Sequence, residues 1–154
     1  MPICKHEDFL IKTNNHKNLL GIDHGSKLIG VAISNKELFI ATPLTTIVRK
    51  KQNVDFNEII KIIKEKDVGG IVVGLPLNMN GTKGPRCQSV ETFFRNFLIF
   101  HDIPLLFQDE RMSSQAIEKI FISQDISRKK RSSNIDKHAA CWILQSALDF
   151  LKKR

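Results

Sequence analysis

The sequence predicts an α/β fold, with one mixed five-stranded sheet (an antiparallel meander plus parallel strands) flanked by helices. Three observations carry that expectation. Two short apolar runs, Leu19 to Ile22 and Ile29 to Ile33, flank a glycine-bounded turn, as paired buried strands do. Two more runs, Ile71 to Leu75 and Ile103 to Phe107, each follow a segment of helical periodicity, as parallel crossovers require. The 154 residues suffice for one well-buried domain and are too few for two ordinary ones.

Residues 1–18 show no clear periodicity and read as a flexible arm, leaving 19–154 as the single folded domain. The first two strands enclose Asp23-His24-Gly25-Ser26-Lys27. After a polar break at Ser34-Asn35-Lys36, Glu37 to Leu44 reads as a third strand ending near Pro43. Val54 to Lys66 carries an apolar stripe of Phe56, Ile59, Ile60, Ile62 and Ile63 and is expected to be helical, with Gly69-Gly70 terminating it. Pro76 to Arg86 is a loop rich in Gly, Pro and Asn at the carboxyl end of the next strand, where open α/β sheets bind ligands. Gln88 to Phe100 follows as a helix whose phenylalanines keep core spacing. Gln108-Asp109-Glu110-Arg111 closes the fifth strand. A helix capped by Ser113 or Ser114 then buries Ala116, Ile117, Ile120 and Phe121. Ser123 to Asn134, containing Arg128-Lys129-Lys130-Arg131, reads as a mobile basic loop. Ile135 to Leu151 is the last helix, with Asp136, Ala140, Ile143 and Ala147 on the face toward the sheet and Trp142 expected in the core.

A formal net charge of +8 points to a polyanionic partner, nucleic acid first. No apolar run is long enough to span a bilayer, and the polar N-terminus lacks a signal-peptide core, so no membrane partner is expected and cytoplasm is the default. Three scattered cysteines and five unclustered histidines give no zinc-ligand spacing.

Three acids stand where packing alone disfavours them. Asp23 ends the first strand, Glu110 follows the fifth, and Asp136 opens the last helix on its inward face. Convergent carboxylates suit Mg²⁺ or Mn²⁺, and two such ions roughly 4 Å apart activate a water and stabilise the leaving oxygen in phosphodiester cleavage. The competing readings are a turn residue for Asp23, a surface ion pair with Arg111 for Glu110, and a helix-dipole partner for Asp136. Strand alternation leaves Asp109 open as an alternative to Glu110. Lys27, Lys83, Arg86 and Arg111 lie near these acids in the chain order, and Arg128, Lys129, Lys130 and Arg131 add non-specific backbone affinity.

Four ordered stretches resemble the YqgF/RuvX family: Gly21 to Ala32, Gly74 to Arg86, Asp109 to Ser114, and Ile135 to Ala140 with Ile143-Leu144-Gln145. The resemblance covers about residues 19–151. It implies an RNase H-like fold related to Holliday-junction resolvases, and a nuclease that processes the 5′ end of pre-16S ribosomal RNA. It also implies Asp23, Glu110 and Asp136 as metal-binding catalytic acids. Leu28 stands where the family usually has Arg, Asn35 where it has Asp, and Met112-Ser113-Ser114 is a variant of Leu-Thr-Thr. The loss of that Arg bears on binding strength rather than chemistry. The expected function is therefore a metal-dependent endonuclease, with two Mg²⁺ or Mn²⁺ ions, acting on an rRNA precursor, with ribosomal particles as a further expected partner, as a monomer or weak homodimer. The alternatives are a resolvase of branched DNA and a non-catalytic RNA-binding factor.

Overall fold

Leu19, Leu20, Gly21 and Ile22 are all buried, so the strand they form is covered on both faces. This strand is central in the computed structural model, which describes residues 3–13, 17–78, 80–109 and 128–152, with the backbone alone for 128–137 and 152. The strands are β1 (Ile3–Cys4), β2 (Asn18–His24), β3 (Leu28–Ser34), β4 (Ala41–Val48), β5 (Val68–Leu75) and β6 (Leu105–Asp109). The helices are α1 (His6–Lys12), α2 (Gln52–Glu65), α3 (Pro85–Phe100) and α4 (Arg128–Lys152). The sheet has six strands in the order β1-β6-β5-β2-β3-β4. β2, β3 and β4 form the expected antiparallel meander, and β5 and β6 continue from β2 in parallel.

Two apolar layers cover the sheet. On one face Leu20, Ile22, Ile71, Val73 and Leu105 pack with Phe56 of α2 and Phe93, Phe94 and Phe97 of α3. Phe56 stands edge-on to Phe93 and Phe97, with ring centroids 4.9 and 5.4 Å apart. On the other face Leu19, Val72 and Leu106 pack with Ile143, Leu144, Ala147 and Leu148 of α4 and with Phe9 of α1. Phe93, Phe94 and Phe97 of α3 are core, as their spacing predicts, while Phe100 at the end of the helix is exposed.

Several expectations are corrected. The sheet gains a sixth strand because Ile3 and Cys4 pair in parallel with Leu105 and Leu106. The segment read as a flexible arm thus supplies β1 and α1, and α1 fully buries Phe9. One aromatic side chain in seven helical residues is too short a pattern to register as amphipathic. The third strand starts at Ala41 because Asn35 Oδ1 accepts hydrogen bonds from the N–H groups of Phe39 and Ile40 (2.8 and 3.1 Å), while Leu38 turns at φ 62°. Pro43 therefore lies inside β4, an edge strand, beside an irregularity in register that leaves Leu44 unpaired. Gly69 and Gly70 belong to β5, and the reversal after α2 falls on Asp67 at φ 52°. A Cβ on Gly70 would lie 2.9 Å from the Phe9 ring, so this glycine makes room for α1. Residues 128–134, read as loop, are helical and lengthen α4. Trp142 is 44% exposed rather than core. The expected helix around Ala116 to Phe121 lies outside the described residues. No helix among the described residues is long and apolar enough to cross a membrane.

Candidate active site and nucleic-acid interface

Alternation along β2 sends successive side chains to opposite faces. Leu20, Ile22 and His24 face α2 and α3, while Leu19, Gly21 and Asp23 face α4. Asp23, half-buried, thus stands at the carboxyl end of the central strand on the α4 side. A Cβ on Gly21 would lie 2.7 Å from the Ala140 carbonyl oxygen and 2.5 Å from Leu144 Cβ. Glycine here lets the helix backbone rest directly on the strand. The direction of α4 follows from its polar contacts. The Cys141 thiol donates to Ala41 O (3.1 Å), and Gln145 bridges Phe39 O (3.0 Å) and the Ala41 N–H (2.9 Å) at the start of β4. That end of the sheet carries the start of β2, so α4 runs antiparallel to β2. Asp136, one turn before Ala140, is on the part of α4 that continues toward the Asp23 end.

Of the remaining predicted acids, Glu110 lies outside the described residues, as does Arg111. Leu105 and Phe107 of β6 pack on the α2–α3 face and Leu106 on the α4 face. Alternation therefore puts Asp109 on the face opposite Asp23. Gln108, on the α4 side, bonds His6 Nε2 at 2.8 Å. Among the described residues no group of three His, Cys, Asp or Glu side chains comes together. Asp23, near the carboxyl end of β2, and Asp136, in the N-terminal part of α4, are carboxylates, and hard carboxylate oxygens are a donor chemistry that fits Mg²⁺ or Mn²⁺.

The turn after Asp23 is held by two arginines. Gly25 N–H donates to Leu28 O at 2.9 Å, and a Cβ on Gly25 would lie 2.5 Å from that oxygen, so the turn needs glycine. Arg86 Nη2 donates to His24 O. Arg49 Nη1 donates to Gly25 O (3.1 Å) and Ser26 O (3.4 Å). Arg49 lies over the Phe93 ring, 5.7 Å from its centroid, and its Nε is 3.8 Å from Asp55 Oδ2. Sequence reasoning singled out Arg86 for phosphate and missed Arg49 and His24. His24 is 4% exposed, with its ring centroid 4.4 Å from that of Phe93. Burial first, then Arg49 and Arg86, push its pKa down to about 4, so the ring is neutral at pH 7.

The other predicted basic residues diverge. Lys27 is exposed on the turn. Lys83 pairs with Glu91 at 3.1 Å. Arg128, Lys129, Lys130 and Arg131 occupy the first turns of α4. The 76–86 loop is braced by Asn78, whose N–H donates to Thr82 O (2.9 Å) and whose O accepts from the Gly81 N–H (2.8 Å).

A mixed sheet with this topology, overlaid by helices on both faces, is the RNase H-like fold of resolvases. RuvC of T. thermophilus, solved with a Holliday junction substrate, superposes with a TM-score of 0.53 at 11% identity, covering 88% of this chain and 96% of that one. A fowlpox virus resolvase solved with Holliday junction DNA gives 0.51 at 12% identity, covering 88% and 97%. The profile of the RuvX family, described as Holliday junction resolvase, matches residues 17–150. A relative from Ruegeria sp., provisionally named a pre-16S rRNA nuclease, is 47% identical over 146 residues, 95% of this chain and 93% of that protein. The chain belongs to the RuvX family and is a phosphodiester-hydrolysing enzyme.

Proposed function

We propose that the chain is a metal-dependent endonuclease for structured nucleic acid, and that it matures the 5′ end of pre-16S rRNA during ribosome biogenesis in the cytoplasm. One observation carries this reading: Asp23 ends the central strand on the face against which α4, bearing Asp136, rests through the Gly21–Ala140 contact. The position of Asp109 on the opposite face supports Glu110 as the third acid. Asp23, Glu110 and Asp136 would hold the cation or cation pair. When bound, these ions supply Lewis-acid stabilisation of the attacking and leaving oxygens of the phosphodiester. The chain's own part is to fix the carboxylates. Asp23 is flanked by the helix-packed Gly21 and by a turn whose carbonyls are held by Arg49 and Arg86, which limits its freedom before substrate arrives. Lys27 and the basic start of α4 supply backbone affinity.

The test is cleavage of labelled 5′-extended rRNA precursor with Mg²⁺ or Mn²⁺, comparing wild type with Asp23→Asn. The expected result is cleavage by wild type and its loss in the variant, with the thermal midpoint unchanged. Equal activity in the variant would overturn the assignment, and RNA binding without turnover in either protein would favour a non-catalytic RNA-binding factor. The family's description favours one second reading, resolution of branched DNA. Faster cleavage of a four-way junction than of the precursor would establish it.

A further inference from the structure

On the face of the sheet opposite Asp23, an open cleft of about 580 Å³ lies between the starts of α2 and α3. His24, Arg49, Gln52, Arg86, Ser89 and Thr92 are among its lining residues; the two guanidinium groups only donate, and the amide and hydroxyls can donate as well. His24 Nε2 is buried and has no hydrogen-bond partner among the described residues. Its Nδ1 lies 3.5 Å from Arg86 Nη2, a group that only donates, so Nδ1 is the acceptor and Nε2 carries the proton. A buried N–H without a partner is costly, and a small turn of the ring toward the cleft would let an anion seated there satisfy it. Each arginine commits one amino nitrogen to the turn carbonyls, which leaves further N–H donors on both guanidinium groups.

The two helices add to this. Gln52 begins α2 and Pro85 begins α3, and neither N-cap, Lys51 or Gly84, makes a side-chain capping bond. Two helix starts with their positive ends converge on one cleft. The acids nearby are turned to other partners. Asp55 Oδ1 accepts from the Lys50 N–H and its Oδ2 faces Arg49, while Glu91 pairs with Lys83 and Arg95.

The geometry points to this cleft as a seat for a backbone phosphodiester of the nucleic acid, with the His24 Nε2–H and the Arg49 and Arg86 guanidinium groups as donors. This rests on the nuclease reading above. His24 and Asp23 are consecutive, so a strand crossing this end of the sheet would present one phosphate to the acids and another to the cleft. The cleft's openness suits a continuous backbone, and Lys27, Lys50 and Lys51 lie in the segments adjoining it.

The test uses the full chain carrying Asp23→Asn, in EDTA, so that binding is read apart from metal and turnover. Two probes are titrated, inorganic phosphate and a labelled single-stranded RNA oligonucleotide, following the His24 imidazole nitrogens by NMR and RNA affinity by anisotropy. The discriminating variant is Gln52→Glu with Gln88→Glu, both exposed positions in the first turns of α2 and α3. A carboxylate there suits the helix dipole, so the fold is kept while an anion is repelled. The expected results are a phosphate-induced shift of the His24 Nε2 signal, the same shift with RNA at far lower concentration, and RNA affinity weakened about tenfold by the double variant. Arg49→Gln should lower the salt-dependence slope by about one. His24 signals indifferent to both probes, or unchanged RNA affinity in the double variant, would overturn the proposal. A phosphate shift that RNA does not reproduce would identify a small-anion site and equally overturn it. Failure of precursor cleavage with the His24 response intact would count against the nuclease reading alone.

Discussion

Asp23 and His24 adjoin in the chain and belong to opposite faces of the sheet, and that alternation separates their chemistry. His24 gives a pH dependence with a definite sign. Its folded pKa, about 4, lies below the ordinary value of 6.5, so the unfolded chain binds the extra proton first. Stability from this group is complete above about pH 6.5 and falls as pH drops toward 4, by about 3 kcal/mol in all. Urea unfolding at pH 7 and pH 4.5 should show a smaller acid loss in His24→Gln than in wild type. Gly21→Ala places a methyl against the Ala140 carbonyl and should cost about 1–3 kcal/mol, with activity falling further than stability because α4 shifts relative to Asp23. Thermal melts paired with cleavage rates would check this. The place of Asp23 near the end of a buried strand was legible in the sequence because an acid ending an apolar run is locally anomalous. Arg49 was not, since it reaches the Gly25 carbonyl across 24 residues and nothing near it in the chain signals the contact.

At the scale of elements, the crossovers and the phenylalanine-rich helix were legible because their periodicity repeats over several turns. The N-terminal helix was not, since its contribution is concentrated in one side chain, Phe9. Phe9→Ala should therefore cost about 3–5 kcal/mol by denaturant unfolding, where a loose arm would give no change. The early start of α4 was missed for a related reason. Ser132, Ser133 and Asn134 favour caps and turns, and the helix runs through them. It begins with four cations at the end where the macrodipole disfavours positive charge. A polyanion laid along that end would relieve the conflict. Far-UV CD should accordingly show a higher thermal midpoint in the presence of RNA, and the gain should shrink when Lys129 and Lys130 are both replaced by Gln.

For the molecule as a whole, the charge of +8 makes nucleic-acid affinity fall steeply with salt, a linear decline of log K against log salt concentration measurable by anisotropy. The strands most central to the sheet are almost continuously hydrophobic, and such strands invite copies of themselves to stack on at the borders. The two borders answer this differently. β1 offers a partner only two residues, and β4 carries a proline and an unpaired Leu44 in mid-strand. Each is a poor template, so the sheet is closed to growth without being closed into a barrel. What keeps further strands from adding is thus the brevity of one border strand and the irregularity of the other.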